Sequence, residues 1–154
     1  MSLKRDLINN NIIVNNISVA LDTLYPDSTI YTDIVNQDLK DVSFFINFIN
    51  SNINVLLGNK YTLSTNISIK YFTDINSQTK NNLLRDIGDN LSYNLNIIKI
   101  NNEHINRLRG SNIYYEILDN TLHFFVTYTT NVIKTTEEIA LMEQLTQNTH
   151  LKER

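Results

Sequence analysis

The stretch LRGSNIYYEILDNTLHFFVTY, residues 108–128, constrains this chain more than any other. It reads as two strands joined by the two-residue turn Asp119-Asn120, since Asp and Asn tolerate the positive φ that a tight hairpin needs. That turn sets Ile117 opposite Leu122, Glu116 opposite His123, Tyr115 opposite Phe124, Tyr114 opposite Phe125 and Ile113 opposite Val126. Residues directly opposite one another share a face. One face therefore carries Ile113, Tyr115, Ile117, Leu122, Phe124 and Val126 and belongs against a core. The other carries Asn112, Tyr114, Glu116, Thr121, His123, Phe125 and Thr127, polar apart from one aromatic pair.

The same test sorts the rest of the chain. Leu3, Leu7, Val14, Ile17, Leu21 and Leu24 form a helical stripe over 3–24, which Pro26 ends. Residues 29–32 read as a short strand. In 42–50, Val42, Phe44, Ile46 and Phe48 fall on one face. Leu56 to Lys60 form a loop, and 61–72 alternate again, with Tyr61, Leu63, Ile67, Ile69 and Tyr71 on one side. This makes 61–72 a half-buried antiparallel strand whose natural partner is 42–50. Leu83, Ile87, Leu91 and Leu95 mark a second helix over about 77–95, capped by Asn76 or Ser77. Ile97–Ile100 is a short strand. A third helix, about 135–147, opens on a Thr135/Glu138 capping box and carries Ile139, Met142 and Leu145. The expectation is one α+β domain over 1–154, with three helices packed against an antiparallel sheet built around the central hairpin.

At 154 residues the chain can bury a sizeable core, roughly 70% of its unfolded surface. A net charge of −3 with scattered basic residues argues against sequence-specific nucleic-acid binding. The absence of cysteine rules out disulfides and thiolate metal sites. The N-terminal MSLKRDLINNN has no apolar core behind its basic residues, so it does not read as a signal peptide, and no run is apolar enough for a membrane span. A cytoplasmic site of synthesis is the expectation.

Little in the sequence could carry chemistry. His104, His123 and His150 show no metal-ligand spacing. Glu116 and His123 are expected neighbours, but a cross-strand polar pair explains them. Asp86 and Asp89 fit a solvated helix face, and His104, Arg107 and Arg109 form a small basic cluster at the hairpin entry. No nucleophile elbow or glycine-rich phosphate loop is present. The expectation is a protein without catalytic, cofactor or metal residues. Two features point to assembly instead. Tyr114 and Phe125 place aromatics on the polar face, which fits either a protein interface, where exposed aromatics are enriched, or a sheet covered by helices on both faces. Leu56 and Leu57 put apolar side chains in a loop, where a free monomer gains nothing from them unless the loop folds back over the sheet edge.

The segments LYPDSTIYTDIVNQDLKDVSFFI (24–46), LLGNKY (56–61) and the hairpin resemble, in order and spacing, the tail terminator proteins of phages and defective prophages with contractile tails in Gram-positive bacteria. The most specific parts are Leu108-Arg109-Gly110 and Leu122-His123-Phe124-Phe125-Val126. Asn120 stands where that family usually has glycine in the hairpin turn. The resemblance implies a homo-oligomeric ring, by analogy of six subunits, at the head-proximal end of the tail tube of a phage or headless bacteriocin particle. Its implied partners are the tail tube protein, the sheath protein and a head–tail joining protein, with no membrane. A neighbouring neck protein is the alternative, and a small-substrate enzyme a third reading.

Overall fold

The computed structural model describes residues 8–32, 42–74, 79–100 and 107–133. Its elements are α1 (Asn10–Leu24), β1 (Thr29–Thr32), β2 (Val42–Val55), β3 (Lys60–Thr73), α2 (Lys80–Asn94), β4 (Ile97–Lys99), β5 (Arg107–Leu118) and β6 (Thr121–Ile133). The six strands form one curled sheet in the order β1-β2-β3-β6-β5-β4. All pairs are antiparallel except β1 with β2, which run parallel. The architecture is the expected α+β, with this one parallel pair as a correction to a purely antiparallel sheet. The third helix, Leu3 and Leu7, the caps Asn76 and Ser77, and His104 and His150 lie outside the described residues.

Asn9 ends α1 at its start: its side chain accepts the backbone N–H of Ile12 at 3.0 Å, satisfying one of the helix's orphan donors. Ile13, Val14, Ile17 and Leu21 of α1 are buried, as are Leu84, Ile87 and Leu91 of α2. They cover one face of the sheet, whose central strands contribute Ile67, Ile69, Tyr71, Leu122, Phe124 and Val126. Gly88 is where α2 comes closest to the sheet. A Cβ there would lie 2.7 Å from the Tyr115 ring, and the Tyr115 hydroxyl donates to Asp89 Oδ1 at 2.7 Å. Asp89 thus ties a helix to β5 rather than merely facing solvent.

The β5–β6 turn is as expected, with Asp119 and Asn120 at φ 51° and 59°, both in the left-handed region that a type I′ hairpin demands. Four of the five expected cross-strand pairs hold, from Ile117↔Leu122 to Tyr114↔Phe125. The fifth does not: the register shifts between Ser111 and Tyr114, so Ser111 pairs with Thr127, and Asn112 takes φ 50°. Leu108 is an even-numbered core residue, whereas Ile113, Tyr115 and Ile117 are odd-numbered ones packed on the same core. Only one extra residue in the strand reconciles the two parities.

The same device operates in β2, where a register shift falls between Phe48 and Asn50. Before it, Phe44 and Ile46 face the helices; after it, Ile53 and Val55 pair with Leu63 and Tyr61 on that side. Phe48, expected with the core face, is 41% exposed, because β2 has by then left β1, which pairs only with Ser43 to Ile46.

Phe124 is wholly buried, so Phe124→Ala should cost about 3–5 kcal/mol in a denaturant melt, the range for emptying a core aromatic site. Tyr128 is also buried, with its hydroxyl donating to the Leu95 carbonyl at 2.6 Å. Burial raises its pKa strongly and that of Tyr71 as well, while the hydrogen bond to Asp89, then burial, raises that of Tyr115. A phenol whose folded pKa lies above the unfolded value contributes its full stability below pH about 10 and loses it as the pH rises further. Stability should therefore be flat with respect to these groups at neutral pH and fall above pH about 10. Tyr128→Phe should cost about 0.5–1.5 kcal/mol at pH 7 and make the alkaline fall shallower; an unchanged slope in pH-dependent melts would contradict this.

Candidate assembly surface

The four residues singled out from sequence occupy two places on the molecule. Leu56 and Leu57 form the turn between β2 and β3, closed by Leu56 N–H donating to the Lys60 carbonyl at 2.8 Å. Gly58 supplies the positive φ of 69° that the turn needs. Leu57 is 89% exposed, and Leu56, Val55 and Ile53 are exposed beside it. The loop projects rather than folding back.

Tyr114 and Phe125 lie on the face of the sheet turned away from the helices. Their rings stack with centroids 4.7 Å apart at 18°. Together with Ile49, Asn50, Asn66, Asn112 and Thr127 they line a shallow depression of about 280 Å³. Tyr114 is exposed and Phe125 half-buried.

Between the two places the outer face is a ladder of uncharged polar residues. Asn66 donates to Asn50 Oδ1 at 2.6 Å and accepts from the Thr127 hydroxyl. Ser64 and Thr129 hydroxyls are 3.1 Å apart, and Thr62 donates to Asn131 at 3.1 Å. These three rows separate Phe125 from the hairpin tip, which at the usual rise per residue is about 20 Å. The structure therefore does not bring Leu56 and Leu57 together with Tyr114 and Phe125. It sets them at two ends of one stiff arm.

Sequence reading missed two parts of this surface. Ile53 and Val55 continue β2 beyond the strand's expected end at residue 50, and the signal available was the run 42–59, which carries no charged residue. The second is an aromatic row on the outer face near β1. Phe45 is buried there, stacked on Tyr31 at 5.3 Å and edge-on to Phe72 at 6.0 Å. Only knowledge of the parallel β1–β2 pair puts Tyr31 beside Phe45.

Glu116 and His123 do sit opposite each other on the outer face. Among the described residues, however, no three His, Cys, Asp or Glu side chains gather as a metal site would require. Arg107 and Arg109 are exposed on β5, paired with β4. No described helix is long and apolar enough to cross a membrane. What the arrangement offers is contact area, with apolar points at the tip and centre of a largely polar face that carries Lys70, Glu116 and His123 in one row.

Comparison with known proteins bears on what that contact is for. No curated protein matches the chain. One solved structure aligns over 84% of this chain and 98% of its own length, at 9% identity and a TM-score of 0.37, a likeness too weak to carry an argument. A family profile described as "Phage tail terminator protein" matches residues 12–140, from the first turn of α1 past the end of β6. With most of its length matched, the chain belongs to the phage tail terminator family, and its role is that of a structural component of a virion tail.

Proposed function

We propose that this protein caps the head-proximal end of the tail tube as a closed ring, stops tube and sheath polymerisation at the set length, and offers a surface to a head–tail joining protein. The ring is of six subunits, its neighbours are the tube and sheath proteins, and it assembles in the host cytoplasm. The tail is of the contractile type found in phages of Gram-positive hosts and in the headless particles derived from them. Family membership supports the tail role. The observation that carries the capping reading is the β2–β3 arm, which ends in an exposed apolar tip at Leu56 and Leu57 and has no charge between residues 42 and 59. A tip of this kind suits docking onto another protein, since exposed apolar patches mark interaction sites. The uncharged polar rows of the outer face between Phe125 and the tip are also suited to a lumen through which DNA passes without being gripped, since basic side chains would bind the phosphates.

The test separates folding from assembly. Leu57→Asp changes a side chain that is 89% exposed, so the melting temperature of the purified protein should stay within a degree or two of the parent's. Phe125→Ala removes one ring of a stack on the outer face; Phe125 is half-buried, so the cost should stay below the ~3–5 kcal/mol of a core Phe→Ala. Particles complemented with either variant should nevertheless show tails of irregular length in electron micrographs, where the parent protein gives one length. Labelled protein should form a single layer at the end away from the baseplate. A layer at the baseplate, or label along the whole tube, would remove the capping reading.

A further inference from the structure

Two edges of the sheet are only partly covered. β1 pairs with β2 at Ser43 to Ile46, and among the described residues nothing pairs with the outer edge of β2 beyond that point. At the opposite side of the sheet, β4 covers β5 at Arg107 to Arg109, and the Gly110 N–H donates to the Asn96 carbonyl at 2.6 Å. Beyond it, no described strand pairs with the outer edge of Ser111 to Leu118. An open edge presents a row of unsatisfied N–H and C=O groups, which proteins ordinarily guard with lysine, proline or inward-pointing charge. The exposed part of β2, FINSNINV, has none of these. We propose that in the ring the two edges belong together: residues 48–55 of one subunit pair antiparallel with residues 111–118 of the next, making the sheet continuous from subunit to subunit. This rests on the ring reading above and names the contact that closes it.

Strand direction favours this pairing. β2, β3, β6 and β5 alternate in direction across the sheet, so β5 runs opposite to β2. In a ring of cyclic symmetry all subunits point the same way along the axis. The β2 of one subunit therefore meets the β5 of the next antiparallel, without inverting either, and different edges meet head to tail as a closed ring requires.

Length and register agree as well. Setting Ile53 opposite Ile113 and Asn52 opposite Tyr114 pairs the stretch that lies between the two bulges, Asn50 to Ile53 against Ile113 to Glu116. It leaves Phe48 and Leu118 at one end, just past β1, and Val55 and Ser111 at the other, just before β4 begins, so the two open stretches match in length. Chemistry matches face by face. Ile53, beside a groove of about 330 Å³ lined by Ile8, Tyr61, Leu63 and Val132, meets Ile113 on the helix side. Asn50 and Asn52 meet Glu116 and Tyr114 on the polar side.

Closure geometry gives an independent check. Within one subunit Tyr115 lies level with Ile46, through Phe124 and Ile69. In the proposed register it lies level with Ser51 of the neighbour. One of the five residues from Ile46 to Ser51 is the extra residue of the β2 bulge, so each subunit is staggered by four residue rises over four strands, about 14 Å along against about 19 Å across. Strands so staggered tilt by about 35° to the ring axis, at the lower end of the 35–45° at which sheets close into barrels. Moving the register two residues either way gives about 20° or about 47°, outside that range.

The chain has no cysteine, so the pairing can be tested by cross-linking in assembled particles. Neighbouring antiparallel pairs alternate between wide and narrow spacing, so one of two adjacent pairs has the shorter approach. The two double variants are Asn52→Cys with Tyr114→Cys, and Ile53→Cys with Ile113→Cys. After oxidation of purified particles, at least one should give a non-reducing ladder of covalent oligomers ending at the ring size, while each single variant stays monomeric. Asn50 opposes Glu116 in this register, so Asn50→Glu should lower ring occupancy on tails several-fold, and Glu116→Lys should restore it. Dimers from Asn52→Cys alone would mean two-fold pairing of β2 with itself and would overturn the proposal. So would terminal rings visible by microscopy with no ladder from either pair and no rescue, although the capping reading would then survive. Absence of both ladder and terminal ring would remove both.

Discussion

Everything in this fold depends on the register of β3 against β6. The rows Ile67↔Val126, Ile69↔Phe124 and Tyr71↔Leu122 form the floor on which both helices rest. A slip of one residue would turn Phe124 outward and Phe125 inward, exchanging a core face for a polar one. The Asp119-Asn120 turn fixes β6 against β5, and the side-chain bonds Ser64–Thr129 and Thr62–Asn131 repeat the β3–β6 register on the opposite face. With the sheet held from both sides, α1 and α2 need only present apolar stripes. Asparagine-rich helices with little intrinsic propensity can do that when packing supplies the stability.

How much of this was legible in the sequence follows from where alternation is interrupted. The hairpin β5–β6 could be read to the residue through four pairs, because its turn residues and its alternation agree. Reading stopped at the two bulges. In β2 the apolar set switches from Phe44 and Ile46 to Ile53 and Val55, and in β5 from Leu108 to Ile113. Each switch of parity marks an extra residue, but a pattern search that assumes an unbroken strand ends the strand or misplaces the pair instead. That is why β2 was expected to stop at residue 50, and why the apolar arm reads as a loop with two unexplained leucines. The parallel β1–β2 pair was invisible for another reason: nothing local distinguishes a short strand's direction.

The candidate surface was legible in part. Leu56, Leu57, Tyr114 and Phe125 stood out as apolar residues in polar surroundings, and the fold leaves Leu56, Leu57 and Tyr114 exposed, with Phe125 half-buried. Their placement at two ends of one arm was beyond sequence reading, since it depends on β3 bridging β2 and β6 over their whole lengths. Family resemblance and alternation supplied different things here. The first pointed to a tail protein; the second identified which face was free.

An uncharged open edge is a hazard as well as an opportunity, because any exposed strand can pair with it. The composition of β2 limits that hazard without removing the edge. Asn50, Asn52 and Asn54 occupy one side of the strand, so an added strand finds an apolar strip on the helix side only. It cannot build the two dry faces that drive stacked-sheet aggregation. The bulge at Phe48/Asn50 restricts the uninterrupted edge further, and bulges of this kind discourage indiscriminate pairing. Selectivity then falls to side-chain match: a partner strand must be apolar on one side, polar on the other, and short enough to fit between β1 and the hairpin tip. A strand meeting all three conditions lies at the far edge of the same sheet, and in the proposed ring it is this strand that the neighbouring subunit supplies.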